Sequence, residues 1–217
     1  MLRTETVERT TFELLKTLMQ DEMLAHFSLV GGTALALYMG HRKSIDIDLF
    51  SPQEFDIIEL NEYLSNKYNF DPLNPELTSK VVLTGLINDI KVDCVKFNHP
   101  LVKPVNVHDS IRIYSMHDIA AMKLVAMSQN GTRLKDFVDV ACLSAEMSFK
   151  EMLDAFEIKY PKTNKMSAVK GMTFFDDIDF SVNIELTEGK FKWKEIEKRL
   201  KEMIKYPDKK FLNYPLI

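Results

Sequence analysis

Two aspartates one residue apart, Asp46 and Asp48, interrupt the aliphatic run of SIDIDLF, where they alternate with Ile45, Ile47 and Leu49. In an extended strand, residues i and i+2 point to one face, about 6.6 Å apart. The spacing therefore predicts an apolar face that packs on a helix and an opposite face carrying two carboxylates. Like charges this close cost free energy unless water, a proton or a cation intervenes. Mg²⁺ takes oxygen ligands, often one or two carboxylates plus substrate phosphates, and Mn²⁺ shares that preference. A metal–nucleotide site would resolve the repulsion. The alternative is a solvated edge strand with alternating acids.

Upstream, Gly31 and Gly32 are two of only seven glycines in the chain, and Thr33 follows them. They fall between the apolar FSLV and the run TALALYM, at a strand-to-helix junction. There, backbone amides and the positive end of the helix dipole can hold a phosphate, and glycine allows the backbone a close approach. Thr33 is the expected N-cap and Gly40 the expected stop. A tight structural turn is the alternative. A third acid stands in IKVDCVKF, where Lys91, Asp93 and Val95 alternate with Ile90, Val92 and Cys94. From a neighbouring strand Asp93 could reach the same site. Three aspartates around metal ions would align an attacking hydroxyl with a leaving pyrophosphate, and Asp93 could assist its deprotonation.

The elements that must position these groups can be read from periodicity. Residues 5–26 predict an amphipathic helix, SIDIDLFS a strand and EFDIIELNEYLSNKY a helix. KVVLTGLI and IKVDCVKF flank Asn88-Asp89, a hairpin signal. From Ser115 the character turns helical. SMHDIAAMKLVAMSQ opens on a Ser-x-x-Asp cap, TRLKDFVDVACLSAEM follows Asn130-Gly131, and SFKEMLDAFEIKY ends at Pro161. Residues 191–206 predict a last amphipathic helix, whereas 172–190 carry no clear pattern. The expected organisation is an α/β domain over residues 1–110 and a helical domain over 111–217 that packs against the active-site cleft.

These residues resemble a known group. GGTALAL…HRKSIDIDLF followed by IKVDCV is similar to the nucleotidyltransferase superfamily in its AbiEii/AbiGii-like branch, the toxins of type IV toxin–antitoxin and abortive-infection systems. HDIAAMKLVAM and TRLKDFVDV extend the resemblance to about residue 145. It implies an α+β fold: a small mixed sheet flanked by helices, then a mainly helical part. It also implies Mg²⁺- or Mn²⁺-dependent transfer of a nucleoside monophosphate from an NTP to an RNA acceptor such as tRNA, or to a protein. A cognate antitoxin is the implied partner. By this resemblance Gly31, Gly32 and Thr33 form the phosphate-binding turn, and Arg42 and Ser44 are the polar pair preceding the acids. Asp46 and Asp48 bind metal with Asp93 as third carboxylate, Lys123 binds the triphosphate, and Asp136 is a late catalytic or structural acid.

Independently of the resemblance, Lys123 is the one charge in IAAMKLVAM, and burying an unpaired ammonium is expensive. A phosphate would supply a partner; snorkelling to the surface is the alternative. Arg133, Asp136 and Asp139 recur every three residues and share a helix face; mixed roles with Asp136 nearer the site are expected, and a helix-surface ion network is the alternative. Asp177 and Asp179 repeat the Asp-x-Asp spacing without a glycine turn and read as a solvated loop. The histidines show no metal-ligand spacing, and His41 reads as a loop residue beside the acids. The segment 190–210 carries nine basic and four acidic residues with Trp193, which suits a charged outer face or an RNA contact.

Bulk properties fit a soluble enzyme. The chain has 217 residues, 46% of them hydrophobic, and a net charge of −4. Bulk attraction to nucleic acid is not implied. The two cysteines form no CxxC, no apolar run suits a membrane span, and the start lacks a signal-peptide core, so a cytoplasmic setting is expected. Two other readings remain open. One is a glycosyltransferase, whose Asp-x-Asp also holds metal–sugar nucleotides but against which the glycine turn speaks. The other is a non-catalytic partner-binding module.

Overall fold

A computed structural model gives the architecture, and the structure describes residues 1–77 and 79–216. The chain forms two compact units. The first comprises Met1–Tyr38, Ser44–His99 and Val105–Tyr114; the second comprises Met39–Lys43, Pro100–Pro104 and the remainder from Ser115.

The first unit is built on a mixed sheet. Its strands are β1 (Ser28–Leu29), β2 (Ile47–Ser51), β3 (Asp71–Pro72), β4 (Val82–Ile87), β5 (Ile90–Lys96), β6 (Asn106–His108) and β7 (Ile111–Ile113). Among the described residues they form one seven-stranded sheet in the order β3-β4-β5-β2-β1-β7-β6. Three helices accompany it: α1 (Arg9–Met19), α2 (Gly31–Met39) and α3 (Ile57–Tyr68). The fold is thus α+β, as the resemblance implied.

The apolar alternation works as expected where it forms strands. Ile47, Leu49, Val92 and Cys94 are buried on one side of the sheet, and the register pairs Ile47 with Val92 and Leu49 with Cys94. Burying each such aliphatic side chain stabilises the fold by ~1.5–3 kcal/mol. The β4–β5 hairpin closes through Asn88 and Asp89, both with positive φ (51° and 62°), the conformation a type I′ turn needs.

Three expectations are corrected. The helix expected over residues 5–26 ends at Met19, because the Asp21 carboxylate caps a separate 3₁₀ turn, Glu22–Leu24, by accepting the Met23 amide at 2.9 Å. Helix α2 begins at Gly31, so Thr33 lies inside it and is not its N-cap. Strand β2 begins at Ile47, so Ile45 is 56% exposed and Asp46 precedes the strand. Gly40, with φ 73°, does follow the end of α2 as the left-handed stop.

The second unit contains α4 (Met116–Gln129), α5 (Leu134–Leu143), α6 (Phe149–Lys159), α7 (Lys165–Gly171) and α8 (Trp193–Lys205). Ser115 caps α4 by accepting the Asp118 amide, and Ser148 with Glu151 forms a capping box on α6. The segment over 172–190, which carries no pattern in the sequence, is tied in by a bridge between Arg42 and Leu186. Asp118 is fully buried and accepts from Lys159 Nζ (2.7 Å), Val102 N (2.8 Å) and Lys103 N (3.2 Å). That pair of buried charges holds the Pro100–Pro104 segment to α4 and α6. Among the described residues, no helix is long and apolar enough to cross a membrane.

Candidate active site

Strand β2 runs antiparallel to β1 and parallel to β5, and this topology decides where the acids go. The register pairs Asp48 directly with Asp93 across the parallel ladder. Their side chains leave the sheet on the face opposite the buried Ile47, Leu49, Val92 and Cys94. On the far side of β5, Thr84 of β4 is the register partner of Asp93. Two carboxylates thus stand side by side on adjacent strands, an arrangement that is destabilising by itself.

The glycine turn arrives at the same place. Val30 donates its amide to the Asp48 carbonyl at 2.9 Å. Gly31 follows with φ 72°, a backbone conformation that L side chains rarely adopt. A Cβ at Gly31 would lie 2.1 Å from Asp48 Oδ2. The residue must therefore be glycine on two counts, conformation and contact. The amides of Gly31, Gly32 and Thr33 precede the first intrahelical bond, which runs from Ala34 N to Val30 O at 3.4 Å. They occupy the turn whose N–H groups a helix leaves without internal acceptors.

Thr33 and Ser44 have a positioning task. The Thr33 side chain is buried, donates to the Asp46 carbonyl and pairs with the Ser44 hydroxyl at 2.9 Å. This ties the lead-in of β2 to α2 and sets Asp46 beside the turn.

Lys91 was not singled out by the sequence reasoning. Its ammonium lies 2.6 Å from Asp93 Oδ2, while Asp93 Oδ1 is buried without a hydrogen-bond partner among the described residues. Burial pushes the Lys91 ammonium down. The hydrogen bond to Asp93 and the charges of Asp93, Asp48 and Asp46 outweigh this and leave it above its ordinary value. One cation therefore feels all three acids. The available signal was the spacing, since Lys91 stands two residues before Asp93 on the same strand face.

Among the described residues, no three His, Cys, Asp or Glu side chains converge closely enough to hold a metal ion. At the expected ligands Asp46, Asp48 and Asp93, the Lys91 ammonium sits on Asp93. The residues nonetheless fit a divalent cation. The donors are carboxylate oxygens, one of them buried and unpartnered, and an ammonium stands in for the cation.

A second polar group lies in the second unit. Asp139 of α5 is fully buried and accepts from Arg42 through both oxygens (Nε to Oδ1 2.7 Å, Nη2 to Oδ2 2.9 Å). His41 Nε2 lies 2.8 Å from Oδ1, and Lys123 Nζ 2.8 Å from Oδ2. Lys123 also donates to Asp136 Oδ1 at 2.5 Å, and Asp136 Oδ2 has no hydrogen-bond partner among the described residues. Burial pushes the Asp139 carboxyl up. The charges of Arg42 and Lys123 and the bonds from His41 and Arg42 outweigh it and hold the group well below the usual carboxylate range. Burial also lowers Lys123, but Asp139 and Asp136 overcome it and raise the ammonium above its ordinary value. His41 goes the other way: burial holds it below its ordinary value despite Asp139, so the ring is neutral at pH 7 and its Nε2–H donates.

The expectations for these residues change accordingly. The ammonium of Lys123, for which the sequence left a phosphate partner or snorkelling open, is held by two carboxylates and is only 7% exposed. Arg42, expected beside the nucleotide, is 2% exposed and clamped to Asp139. Asp136 and Asp139 are buried, not a helix-surface network, and only Arg133 at 3.7 Å from Asp136 lies outside. His41 is a buried hydrogen-bonding group. Asp179 caps its own loop by accepting from the Ser181 amide at 2.9 Å.

Comparison with known proteins decides the family. A family model described as Nucleotidyl transferase AbiEii toxin, Type IV TA system, matches residues 13–209. The chain belongs to this family. It is 30% identical over 185 residues to Uncharacterized protein aq_aa25 of Aquifex aeolicus (strain VF5), a match covering 82% of this chain and 86% of that protein. Among solved structures, JHP933 from Helicobacter pylori is 15% identical with a TM-score of 0.45, covering 92% of this chain and 97% of that one. A CCA-adding enzyme solved in complex with CTP is 13% identical with a TM-score of 0.37, covering 80% of this chain and 52% of that one. Family membership makes this chain a nucleotidyltransferase.

Proposed function

We propose that this nucleotidyltransferase moves a nucleoside monophosphate from an NTP to an RNA acceptor, tRNA foremost, or to a protein, with Mg²⁺ or Mn²⁺ held by Asp46, Asp48 and Asp93. The observation that supports the reading is that Asp48, the register partner of Asp93, lies against the glycine turn at Gly31.

In this reading the amides of Gly31, Gly32 and Thr33 grip the triphosphate, with Ser44 beside them. The acceptor hydroxyl attacks the α-phosphorus. A new O–P bond forms there, the bond to the oxygen bridging the β-phosphate breaks, and pyrophosphate leaves with that electron pair. Asp93 takes the hydroxyl proton. When bound, the cation neutralises phosphate charge and orients the attacking and leaving oxygens.

The family motifs support a share for the second unit. They are the support for Lys123 and Asp136 as further site residues; within the second unit the Lys123 ammonium is held by Asp136 and Asp139. Arg42 and Asp136 then act by holding Lys123 and Asp139 in place. The type IV toxin–antitoxin description of the family supports an antitoxin as partner, and NTP dependence supports a cytoplasmic setting.

Incubation with each α-³²P-labelled NTP, total RNA and MgCl₂ tests the reading. Label should appear in RNA or protein and disappear when Asp46→Ala is combined with Asp48→Ala, with the circular dichroism spectrum retained. Unchanged labelling by the double variant would refute it.

A further inference from the structure

Asp48, Asp93 and the Lys91 ammonium lie on one face of the sheet, with Asp46 on the lead-in to β2, and the ammonium belongs to the chain itself. Lys91 is bound at 2.6 Å to one oxygen of Asp93, yet its side chain is 41% exposed while that of Asp93 is 17% exposed. The partner in contact with the carboxylate is thus the one free to leave. The second oxygen of Asp93 is buried and unpartnered.

From this geometry we infer that Lys91 is the resident counter-ion of the acidic group, and that a divalent cation engages Asp93 by displacing the Lys91 ammonium. The inference rests on the reading of these acids as cation ligands. An oxygen that accepts from an ammonium at 2.6 Å cannot offer the same lone pair to a metal. The displaced ammonium stays on a four-carbon stem and swings into water, so the exchange needs no backbone movement. Before loading, Lys91 relieves the repulsion between Asp48 and Asp93. During loading, it lowers the affinity for a bare cation.

Titration of the metal alone, followed by Mn²⁺ electron paramagnetic resonance without nucleotide, tests this. Lys91→Met should bind Mn²⁺ about two- to fivefold more tightly than wild type, the range that a partly exposed ion pair supports. Lys91→Arg, which keeps the charge, should stay within about twofold of wild type. Lys96→Met removes the same charge from the same strand but pairs with Glu54, so it should leave Mn²⁺ affinity unchanged. On an Asp93→Asn background, Lys91→Met should bring no gain. No tightening in Lys91→Met, an equal tightening in Lys96→Met, or the same gain without Asp93 would each overturn the competition. Melting temperatures of all variants report whether the fold is kept. A wild type that binds Mn²⁺ but transfers no label would remove the nucleotidyl-transfer reading and leave Lys91 to be judged by these titrations. Absence of Mn²⁺ binding from both wild type and Lys91→Met would end the competition itself.

Discussion

Two charged groups, one in each unit, are built to opposite specifications. Around Asp139, two carboxylates face two permanent cations, Arg42 and Lys123, with a neutral His41 filling a remaining acceptor site, and nearly everything is buried. Around Asp48 and Asp93 the groups are half-buried, and the Lys91 ammonium contacts Asp93 and feels the charges of Asp48 and Asp46. The charges of the first group are balanced within the chain. The second is acid-rich and reaches solvent through Lys91, whose side chain is 41% exposed. The one is a buried, charge-balanced cluster and the other a half-buried, acid-rich one, even though both are rich in aspartate.

The widest gap between them should show in stability. Asp139→Ala leaves Arg42 and Lys123 buried without their shared acid, and breaking a buried pair from one side costs about 3–5 kcal/mol. In a chain of this size that is a fall in melting temperature of roughly 6–20 °C. A loss below about 1 kcal/mol, measured by urea denaturation, would show that the buried group is not a scaffold.

How much of this was legible in the sequence differs between the groups. Alternation in SIDIDLF and IKVDCVKF showed which residues face away from the core, and the Asn88-Asp89 hairpin brought β4 beside β5. The spacing of Lys91 was visible, but its ammonium could be given to Asp93 only once the register was known. The charge-balanced group was not legible at all as a unit. His41 and Arg42 are separated from Asp139 by nearly a hundred residues, and an ion pair of that range leaves no period in the sequence. Lys123 shows the consequence: the need for a partner was readable from its apolar helix, but the partner's identity was not. The early start of α2 was missed because Thr33 looks like a cap, while its hydroxyl is spent on Asp46 and Ser44.

Next in size is the glycine turn. Gly31→Ala forces a Cβ into the left-handed region and against the Asp48 carboxylate, at a cost of about 1–2 kcal/mol for conformation alone. Nucleotidyl transfer should fall further than stability, because the displaced group is Asp48. Equal losses, compared through thermal melts and label transfer, would make the turn merely structural.

Acidification sharpens the contrast in a different way. His41 is held below its ordinary value of 6.5, so on going down through pH 6.5 the unfolded chain takes up a proton that the folded chain refuses. Stability should decline there by about 1.4 kcal/mol per pH unit until the folded ring titrates. Asp139, also depressed, adds a second loss that sets in as pH falls past the ordinary carboxylate value, because its contribution is present only above that range. His41→Gln should remove the first decline and keep the second. An unchanged pH profile in that variant would exclude His41 as its origin.

The smallest effect has the opposite sign. Asp48→Asn removes a like charge directly across from Asp93 and should raise stability in the absence of divalent cations by a few tenths to about 1 kcal/mol. A fall in melting temperature would mean that Asp48 is structural.

The acid-rich group is most directly tested by ligand-linked stability in wild type and Asp48→Asn, with thermal melts run in MgCl₂ and NTP together. A ligand that binds only the folded protein at about a hundred times its Kd stabilises by ~2.7 kcal/mol, a rise of several degrees in melting temperature. Wild type should show that rise, and Asp48→Asn, starting from an equal or higher melting temperature, should not. The same rise in both proteins would contradict a cation–nucleotide site at Asp48.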